Sequence, residues 1–244
     1  RRLAIKVLNA SKFALTRAGQ DVAIDGANVT EEFDRAMLAG LAEVVATATA
    51  ALDAYDHTRA LEVTESFFWT FCDDYLELVK DRAYNSEGQV DEAASLSART
   101  ALVIAVDTFL RLLAPVLPYS TEEVWSWWKE GSVHAAEWPK AAPIAAIAGD
   151  VSFSLVTTTG AALSAVRKVK SENQVSQRTA LSAAELTVPT GWAADLARAE
   201  RDLRAAGRLT GSLAVTESAD ADTAVVIAHE LEIADAGDSQ PRTR

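Results

Sequence analysis

The strongest hydrophobic pattern lies between Phe67 and Arg82, in the segment FFWTFCDDYLELVKDR. Wound as a helix at about 100° per residue, this segment carries apolar side chains over more than half of its circumference. The remaining strip is acidic and contains Asp73, Asp74, Glu77 and Asp81. A helix that is apolar on so many sides needs several packing partners. The pattern therefore predicts the central helix of a bundle, from about residue 58 to residue 83.

The flanking sequence predicts the partners of that helix. Amphipathic periodicity predicts helices over residues 1–17, 31–55 and 91–113. A short helix with three tryptophans should follow, starting at a capping box of Ser120 and Glu123. Thr30 and Thr58 are the expected N-caps of the second and the central helix. Because the connections are short, we expect an up-and-down helical bundle over residues 1–145.

The composition changes near residue 150, and a different pattern follows. Strands are predicted over residues 151–157, 184–188, 210–216 and 223–228, and helices over 160–172 and 192–206. We expect a small α/β domain over residues 150–233 and a polar, frayed tail over 234–244. The predicted fold class is thus mainly α, a helical bundle followed by a small α/β domain.

The charge distribution keeps a nucleic-acid function open. The net charge of −12 argues against a generally basic nucleic-acid binder. Residues 1–20 nevertheless contain five cations and no acid, and residues 160–178 contain four cations and one acid. These cations are Arg1, Arg2, Lys6, Lys12 and Arg17 in the first segment, and Arg167, Lys168, Lys170 and Arg178 in the second. Two local basic surfaces on an acidic protein are therefore expected.

An aromatic residue accompanies the first group of cations. Phe13 falls on the polar side of the first predicted helix, with Lys6 and Asn9, and Lys12 lies toward one edge. Two interpretations stay open. Phe13 packs on a neighbouring element, or it forms a stacking platform for a base between phosphate-binding cations.

Motifs for catalysis are missing from the sequence. It contains no glycine-rich phosphate loop, no CxxC and no GxSxG. The acidic strip is interpreted as a solvated face rather than a metal site, and the single cysteine, Cys72, as a small buried hydrophobe.

No uninterrupted apolar run approaches about 18 residues, so no membrane span is expected. Since the chain starts at Arg1 without a leader pattern, we expect a piece of a longer protein.

Three phrases together resemble the anticodon-binding region of valyl-tRNA synthetases. They are VLNASKF at 7–13, FFWTFCDDYLELVKDR at 67–82 and LAPVLPYSTEEVWSWWKEGSVHAAEWP at 113–139. They occur in the order of that family and cover roughly residues 1–140. The phrase VRKVKSE at 166–172 is similar to the helix that follows the bundle in the same family. Beyond it, the sequence is too divergent for residues to be carried over.

The resemblance implies a class I synthetase that attaches valine to its tRNA in the cytoplasm, using ATP with Mg. Its Rossmann catalytic domain would lie N-terminal to the bundle, and an editing domain would be inserted there. The HIGH-like and KMSKS-like ATP signatures are absent from this chain. We therefore expect this fragment to be catalytically silent and to hold no cofactor. Its expected partners are the anticodon loop and stem of valine tRNA and its own catalytic domain, with no membrane.

The resemblance also implies which residues contact tRNA. Asn9, Lys12 and Phe13 would read the last two anticodon bases, with Lys6 beside them, by stacking and hydrogen bonds on splayed-out nucleotides. The expected contacts to backbone phosphates come from the second basic segment, from Arg167, Lys168 and Lys170. The family often has Arg where Lys12 stands. Lysine keeps the charge but loses the bidentate fork of arginine.

Two alternative functions fit the same patterns. The first is the corresponding region of an isoleucyl- or leucyl-tRNA synthetase, which shares the bundle. The second is a helical protein-interaction module without an RNA role, whose aromatic patches dock partner helices.

Overall fold

The computed structural model describes residues 1–18, 25–85, 88 and 90–232. The chain forms two compact units, Arg1–Gly160 and Ala161–Arg244. The predicted class, a helical bundle followed by a small α/β domain, is confirmed. The division falls within a helix, some ten residues after the change in composition. The polar tail predicted over 234–244 lies outside the described residues.

The first unit is built from helices joined by short connections. Its helices α1 to α7 and the beginning of α8 span Arg2–Ala18, Glu32–Asp53, His57–Thr70, Leu76–Tyr84, Glu92–Leu113, Pro118–Ser126, Ala141–Ala148 and Ser154–Glu172. The predicted helices over 1–17, 31–55 and 91–113 are confirmed as α1, α2 and α5. Helix α7 was not predicted.

The core is centred on α5 and on the segment from 67 to 82. Helix α5 packs against α1, α2, α3, α4 and α6. Every side chain between residues 100 and 110 is buried. The Phe109 ring lies 5.0–6.0 Å from the rings of Phe67, Phe68 and Phe71. Offset and tilted aromatic pairs of this kind add to the free energy gained by burying their area.

The central helix contains an irregularity that the sequence did not reveal. A π-helical turn, Phe71–Tyr75, separates α3 from α4. A π-turn inserts an extra residue and so rotates the residues after it relative to those before it. Cys72 lies in this turn and is buried, and burial raises the pKa of its thiol to about 12. The interpretation of Cys72 as a buried hydrophobe is confirmed.

The predicted helix starts need correction. The N-cap of α2 is Glu31 rather than Thr30. Asp56 caps α3 in place of Thr58, which lies inside the helix, and an Asp56 carboxylate oxygen accepts a hydrogen bond from the Arg59 backbone N–H at 2.8 Å. Helix α6 begins at Pro118, whose fixed φ suits the first helical position, so Ser120 lies inside the helix.

A buried ion pair ties the first unit together. The Arg82 guanidinium donates to both carboxylate oxygens of Asp34, at 2.7 and 2.8 Å, and to the Ala94 carbonyl at 3.1 Å. Tyr75 and Ser97 donate hydroxyl hydrogen bonds to the same carboxylate, at 2.7 and 2.6 Å. The charge on Asp34 is thus fully satisfied, and its network joins α2, α4 and α5.

Among the described residues, α2 is the one helix long and apolar enough to cross a membrane by length and composition. It packs against α3, α5 and α7 and carries the buried Asp34 of the ion pair. These contacts account for its apolar composition as that of a core helix.

Over residues 161–232, the second unit contains the C-terminal part of α8, two short helices and a sheet. These later elements are β1 at Leu181–Pro189, α9 at Trp192–Arg198, α10 at Glu200–Gly207, β2 at Leu209–Ser218 and β3 at Val225–Leu231. The strand order is β2-β1-β3, with β1 parallel to β2 and antiparallel to β3. Leu186 stands opposite Val215 on one side and Val226 on the other.

Two predictions for this region were wrong. The strand expected over 151–157 does not form, because α8 starts at Ser154. Leu155, Thr159, Ala162 and Val166 are all buried, and their helical spacing continues well beyond the short alternation that suggested a strand. The single helix expected over 192–206 is broken into α9 and α10 at Ala199. The other three strands are confirmed.

Candidate nucleic-acid interface

The four predicted residues of α1 share one side of that helix. Lys6, Asn9, Lys12 and Phe13 fall within an arc of about 120°. Val7, Ala10 and Ala14 point into the bundle and are buried. We call the outward side, defined by those four residues, the α1 face. The burial of the opposite stripe fixes which groups the α1 face presents to solvent.

Two of these side chains are available to a ligand. Asn9 and Lys12 are exposed. Within the described ranges, neither the Asn9 amide nor the Lys12 ammonium has a hydrogen-bond or ion-pair partner. The Asn9 amide can donate and accept hydrogen bonds, which suits a base edge. The Lys12 ammonium suits a phosphate.

Phe13 is half-buried and packs against α4. Its ring centroid lies 5.3 Å from that of Tyr84, at an interplanar angle of 56°. The Lys80 ammonium lies 5.9 Å from the Phe13 ring centroid, and Tyr84 is itself 38 % exposed. The contact agrees with the packing interpretation of Phe13, and the half-exposed pair of rings still offers a surface for stacking.

Lys6 is less available than Lys12. Its ammonium lies 2.8 Å from Asp73 and 5.6 Å from the Trp69 ring centroid. The Arg2 guanidinium also lies over the Trp69 ring, at 4.8 Å. A phosphate would have to compete with Asp73 for Lys6. This exposed pair is weak, so the competition is not prohibitive.

Three residues of this region were missed in the sequence. The α1 face and its N-terminal neighbourhood are also reached by Trp69 from α3 and by Lys80 and Tyr84 from α4. Lys80 and Tyr84 are spaced by four residues and therefore share one side of α4. That spacing was visible in the sequence, but their position next to Phe13 depends on tertiary packing.

The predicted residues of α8 differ from one another. Lys168 is exposed, with the Glu172 carboxylate 3.8 Å away, and Arg167 is half-buried. Lys170 is buried, with 1 % of its surface exposed. Its Nζ donates to the carbonyls of Gln177, at 3.1 Å, and Gly207, at 2.8 Å. The prediction that Lys170 contacts a tRNA phosphate is therefore contradicted by its burial.

The environment of Lys170 is also positively charged. Burial, together with the nearby charges of Arg208 and Arg167, lowers the pKa of the Lys170 ammonium to about 8. Its two hydrogen bonds need only two N–H groups, which the neutral amine also has. Lys170 is thus a structural donor that holds two backbone segments together.

The chemistry of these surfaces is that of binding. They supply cations, one amide and aromatic rings. Over the described ranges, no group of three or more His, Cys, Asp or Glu side chains could hold a metal ion. The acidic strip that contains Asp73 and Asp74 supplies the partner of Lys6.

Comparison with known proteins gives a consistent result. Residues 34–185 match the family model described as the anticodon-binding domain of tRNA ligase. The chain is 56 % identical over 211 residues to a valine–tRNA ligase of Thermobifida fusca, with 86 % of this chain and 23 % of that protein covered. It is 53 % identical over 203 residues to one of Cutibacterium acnes, with 83 % and 22 % covered. For one of Leifsonia xyli, the identity is 50 % over 231 residues, with 93 % and 26 % covered. The chain thus spans about a quarter of the length of these relatives.

Proposed function

Because the chain belongs to the family of anticodon-binding domains of tRNA ligases, we propose that it recognises the anticodon of valine tRNA as part of a valine–tRNA ligase. The names of the curated relatives support valine. They favour it over isoleucine and leucine, the two other specificities that the sequence patterns allow.

The α1 face is the observation that carries this proposal. It combines the exposed cation Lys12 and the exposed amide Asn9, both without a side-chain partner among the described residues, with the half-exposed rings of Phe13 and Tyr84. Single-stranded RNA loops are read by stacking on aromatic rings and by hydrogen bonds to base edges, with cations on the phosphates. The α1 face supplies each of these three groups.

In this proposal, the residues of the α1 face divide the work. Codons for valine share their first two letters, so the last two anticodon bases are constant and the first one varies. Phe13 with Tyr84 stacks on one splayed-out base, and Asn9 bonds to a base edge. Lys12 contacts a phosphate, and Lys6 also does so when its ion pair with Asp73 breaks. Arg167 and Lys168 contact the backbone elsewhere.

The rest of the reaction would belong to the remainder of the ligase. The complete enzyme would use ATP with Mg in a catalytic domain outside this chain, and it would work in the cytoplasm. The chain itself lacks the HIGH-like and KMSKS-like signatures. We expect no valine-dependent ATP–pyrophosphate exchange above background from the purified chain.

Filter binding with purified tRNAs tests the proposal. At about 50 mM salt, the chain should retain valine tRNA more tightly than isoleucine or leucine tRNA. Three to five phosphate contacts, each contributing about 0.7–0.9 to the slope of log affinity against log salt, should largely abolish binding by a few hundred millimolar. Equal retention of all three tRNAs would contradict the specificity. Absence of tRNA binding at low salt would favour a protein-interaction module.

A further inference from the structure

Lys170 joins two segments that are far apart in sequence. Its Nζ bonds to the carbonyl of Gln177, in the loop after α8, and to that of Gly207, at the end of α10. Because both oxygens bond to one nitrogen atom, the two segments are held side by side. The loop is fixed further where the Gln177 amide donates to the Arg167 carbonyl and to Ser171 Oγ, each at 3.2 Å.

An arginine directly follows each of the two clamped residues. Arg178 comes after Gln177, Arg208 comes after Gly207, and both are exposed. In the part of the chain that the structure describes, neither guanidinium has a hydrogen-bond or ion-pair partner. The Glu232 carboxylate accepts a hydrogen bond from the hydroxyl of Thr210, two residues after Arg208, at 2.6 Å.

The other arginines of this region behave differently. Arg198 is paired with Asp195, Arg201 lies 3.5 Å from Asp202, and Arg204 lies 2.6 Å from Glu200. These arginines have acids on their own helices, as is usual for a solvated helix surface. Arg178 and Arg208 depart from that arrangement, so their charges are open to an external anion.

The backbone of Arg208 is unfavourable for an arginine. It caps α10 in the left-handed conformation, with φ 53° and ψ 47°. Glycine is the residue usually found at this position, because a Cβ atom is strained there. An outlier of this kind is a reason to look for a function of the side chain.

We propose that Arg178 and Arg208 form a second site for RNA, which binds backbone phosphates of the tRNA, and that Lys170 positions the two arginines. The identity of the RNA rests on the proposed function. Two guanidinium groups on clamped backbone segments suit phosphate oxygens, because each offers a planar fork of N–H donors. The positive field of Arg167 and Lys170 adds to the attraction for a polyanion. Contacts to backbone phosphates carry no sequence information, so this site should show no preference for base sequence.

Fluorescence anisotropy with labelled valine tRNA tests the site. The double variant Arg178→Ala with Arg208→Gly should bind about 10-fold or more weakly at 100 mM salt. Its slope of log affinity against log salt should fall by about 1.5–2. The loss should be equal for valine tRNA with its natural anticodon and with a changed one. Changing both residues to Lys should restore most of the affinity. Arg198→Ala and Arg201→Ala are matched controls, and they should change binding less than about 2-fold.

Two further measurements separate binding from folding. Arg208→Gly alone relieves the backbone strain, so its melting temperature should stay equal or rise by a few degrees while tRNA affinity falls several-fold. Lys170→Met should weaken binding, because the two arginines lose their positions and one positive charge is removed; in the double variant only the effect of that charge should remain.

The outcomes also distinguish this inference from the proposed function. Unchanged affinity and salt slope in the double variant would overturn the second site alone. Loss of binding that is independent of the anticodon, in a chain with no anticodon preference, would support the second site and contradict anticodon recognition. A chain that binds no RNA at low salt would overturn both.

Discussion

Each of the two candidate RNA surfaces is supported by a buried cation, and the two cations are held in different ways. Arg82 lies on α4, two residues before the Tyr84 that packs on Phe13, and it meets the carboxylate of Asp34 with two hydrogen bonds. Lys170 supports the clamped segments that carry Arg178 and Arg208. Among the described residues its hydrogen-bond acceptors are two backbone carbonyls, and the pKa of its ammonium is lowered to about 8.

The difference shows how the two surfaces divide their roles. A charge that is matched by a carboxylate makes a rigid, electrically neutral support, on which rings and an amide can be placed accurately. A buried cation without a carboxylate leaves a net positive field, which attracts phosphates but reads no base. The α1 face therefore has the groups to discriminate sequence, and the second surface has the groups to bind any RNA backbone.

The largest expected effect comes from removing the charge that supports the α1 face. Arg82→Ala leaves the Asp34 carboxylate buried and unpaired, so the free energy of unfolding should fall by about 3–5 kcal/mol. Urea denaturation followed by circular dichroism measures this. Arg59→Ala, which breaks the exposed pair with Glu62, is the control and should cost less than about 1 kcal/mol. A loss as small as that for Arg82→Ala would show that the buried pair does not hold the bundle.

Removal of a ring should separate stacking from packing. Phe13→Ala should weaken the binding of valine tRNA by about 1–3 kcal/mol. Because the side chain is only half-buried, the stability should fall by less than the about 3–5 kcal/mol typical of a core phenylalanine. Anisotropy titrations and thermal melts of the same variant measure the two quantities. A large loss of stability with unchanged affinity of the folded protein would remove Phe13 from the site.

The second buried cation should make stability depend on pH. The folded-state pKa of Lys170 lies below the value of 10.5 for a free lysine. Between pH 8 and 10.5, the unfolded chain therefore holds a proton that the folded chain has released, and stability rises with pH. Relative to Lys170→Met, the wild type should gain on the order of 1 kcal/mol between pH 7 and 9. Urea unfolding of both proteins at pH 7 and pH 9 measures this. If the difference in unfolding free energy between wild type and Lys170→Met were the same at both pH values, this environment for Lys170 would be contradicted.

The smallest effect distinguishes two lysines on the α1 face. Lys12 is unpaired among the described residues, whereas Lys6 is paired with Asp73. Lys12→Ala should weaken tRNA binding about three- to five-fold and lower the salt slope by about 1. Lys6→Ala should change affinity less, because the Asp73 carboxylate already neutralises much of its charge. Binding of both variants is measured over a series of salt concentrations. A larger effect for Lys6→Ala than for Lys12→Ala would contradict the assignment of the stronger phosphate contact to Lys12.

Local patterns in the sequence were enough to predict most of the bundle helices, though not α7 or the start of α8, and three of the strands. They were not enough for the features that depend on distant residues. Asp34 and Arg82 are separated by 48 positions, so the local periodicity of hydrophobic residues cannot predict that they pair. The alternation over 151–157 was outweighed by packing of the longer helical stripe of α8.

Lys170 is a different case, since its burial left a signal that was overlooked. Leu163, Val166 and Lys170 share one stripe of α8, so a helical projection places the lysine among buried residues. Its partners, the carbonyls of Gln177 and Gly207, belong to a loop and a helix end whose meeting no pattern predicts. The candidate site on α1 could be predicted from its phrase VLNASKF, but the contribution of Tyr84 and Lys80 required the fold.

The central claim is that the α1 face reads the anticodon. The most direct test is the affinity of the unmodified chain for valine tRNA against the same tRNA with its last two anticodon bases replaced. Two lost base contacts, at about 1–3 kcal/mol each, predict an affinity at least about tenfold lower for the altered tRNA. The Phe13→Ala variant should show a smaller difference between the two tRNAs. Equal affinities for both tRNAs at low salt would contradict the claim.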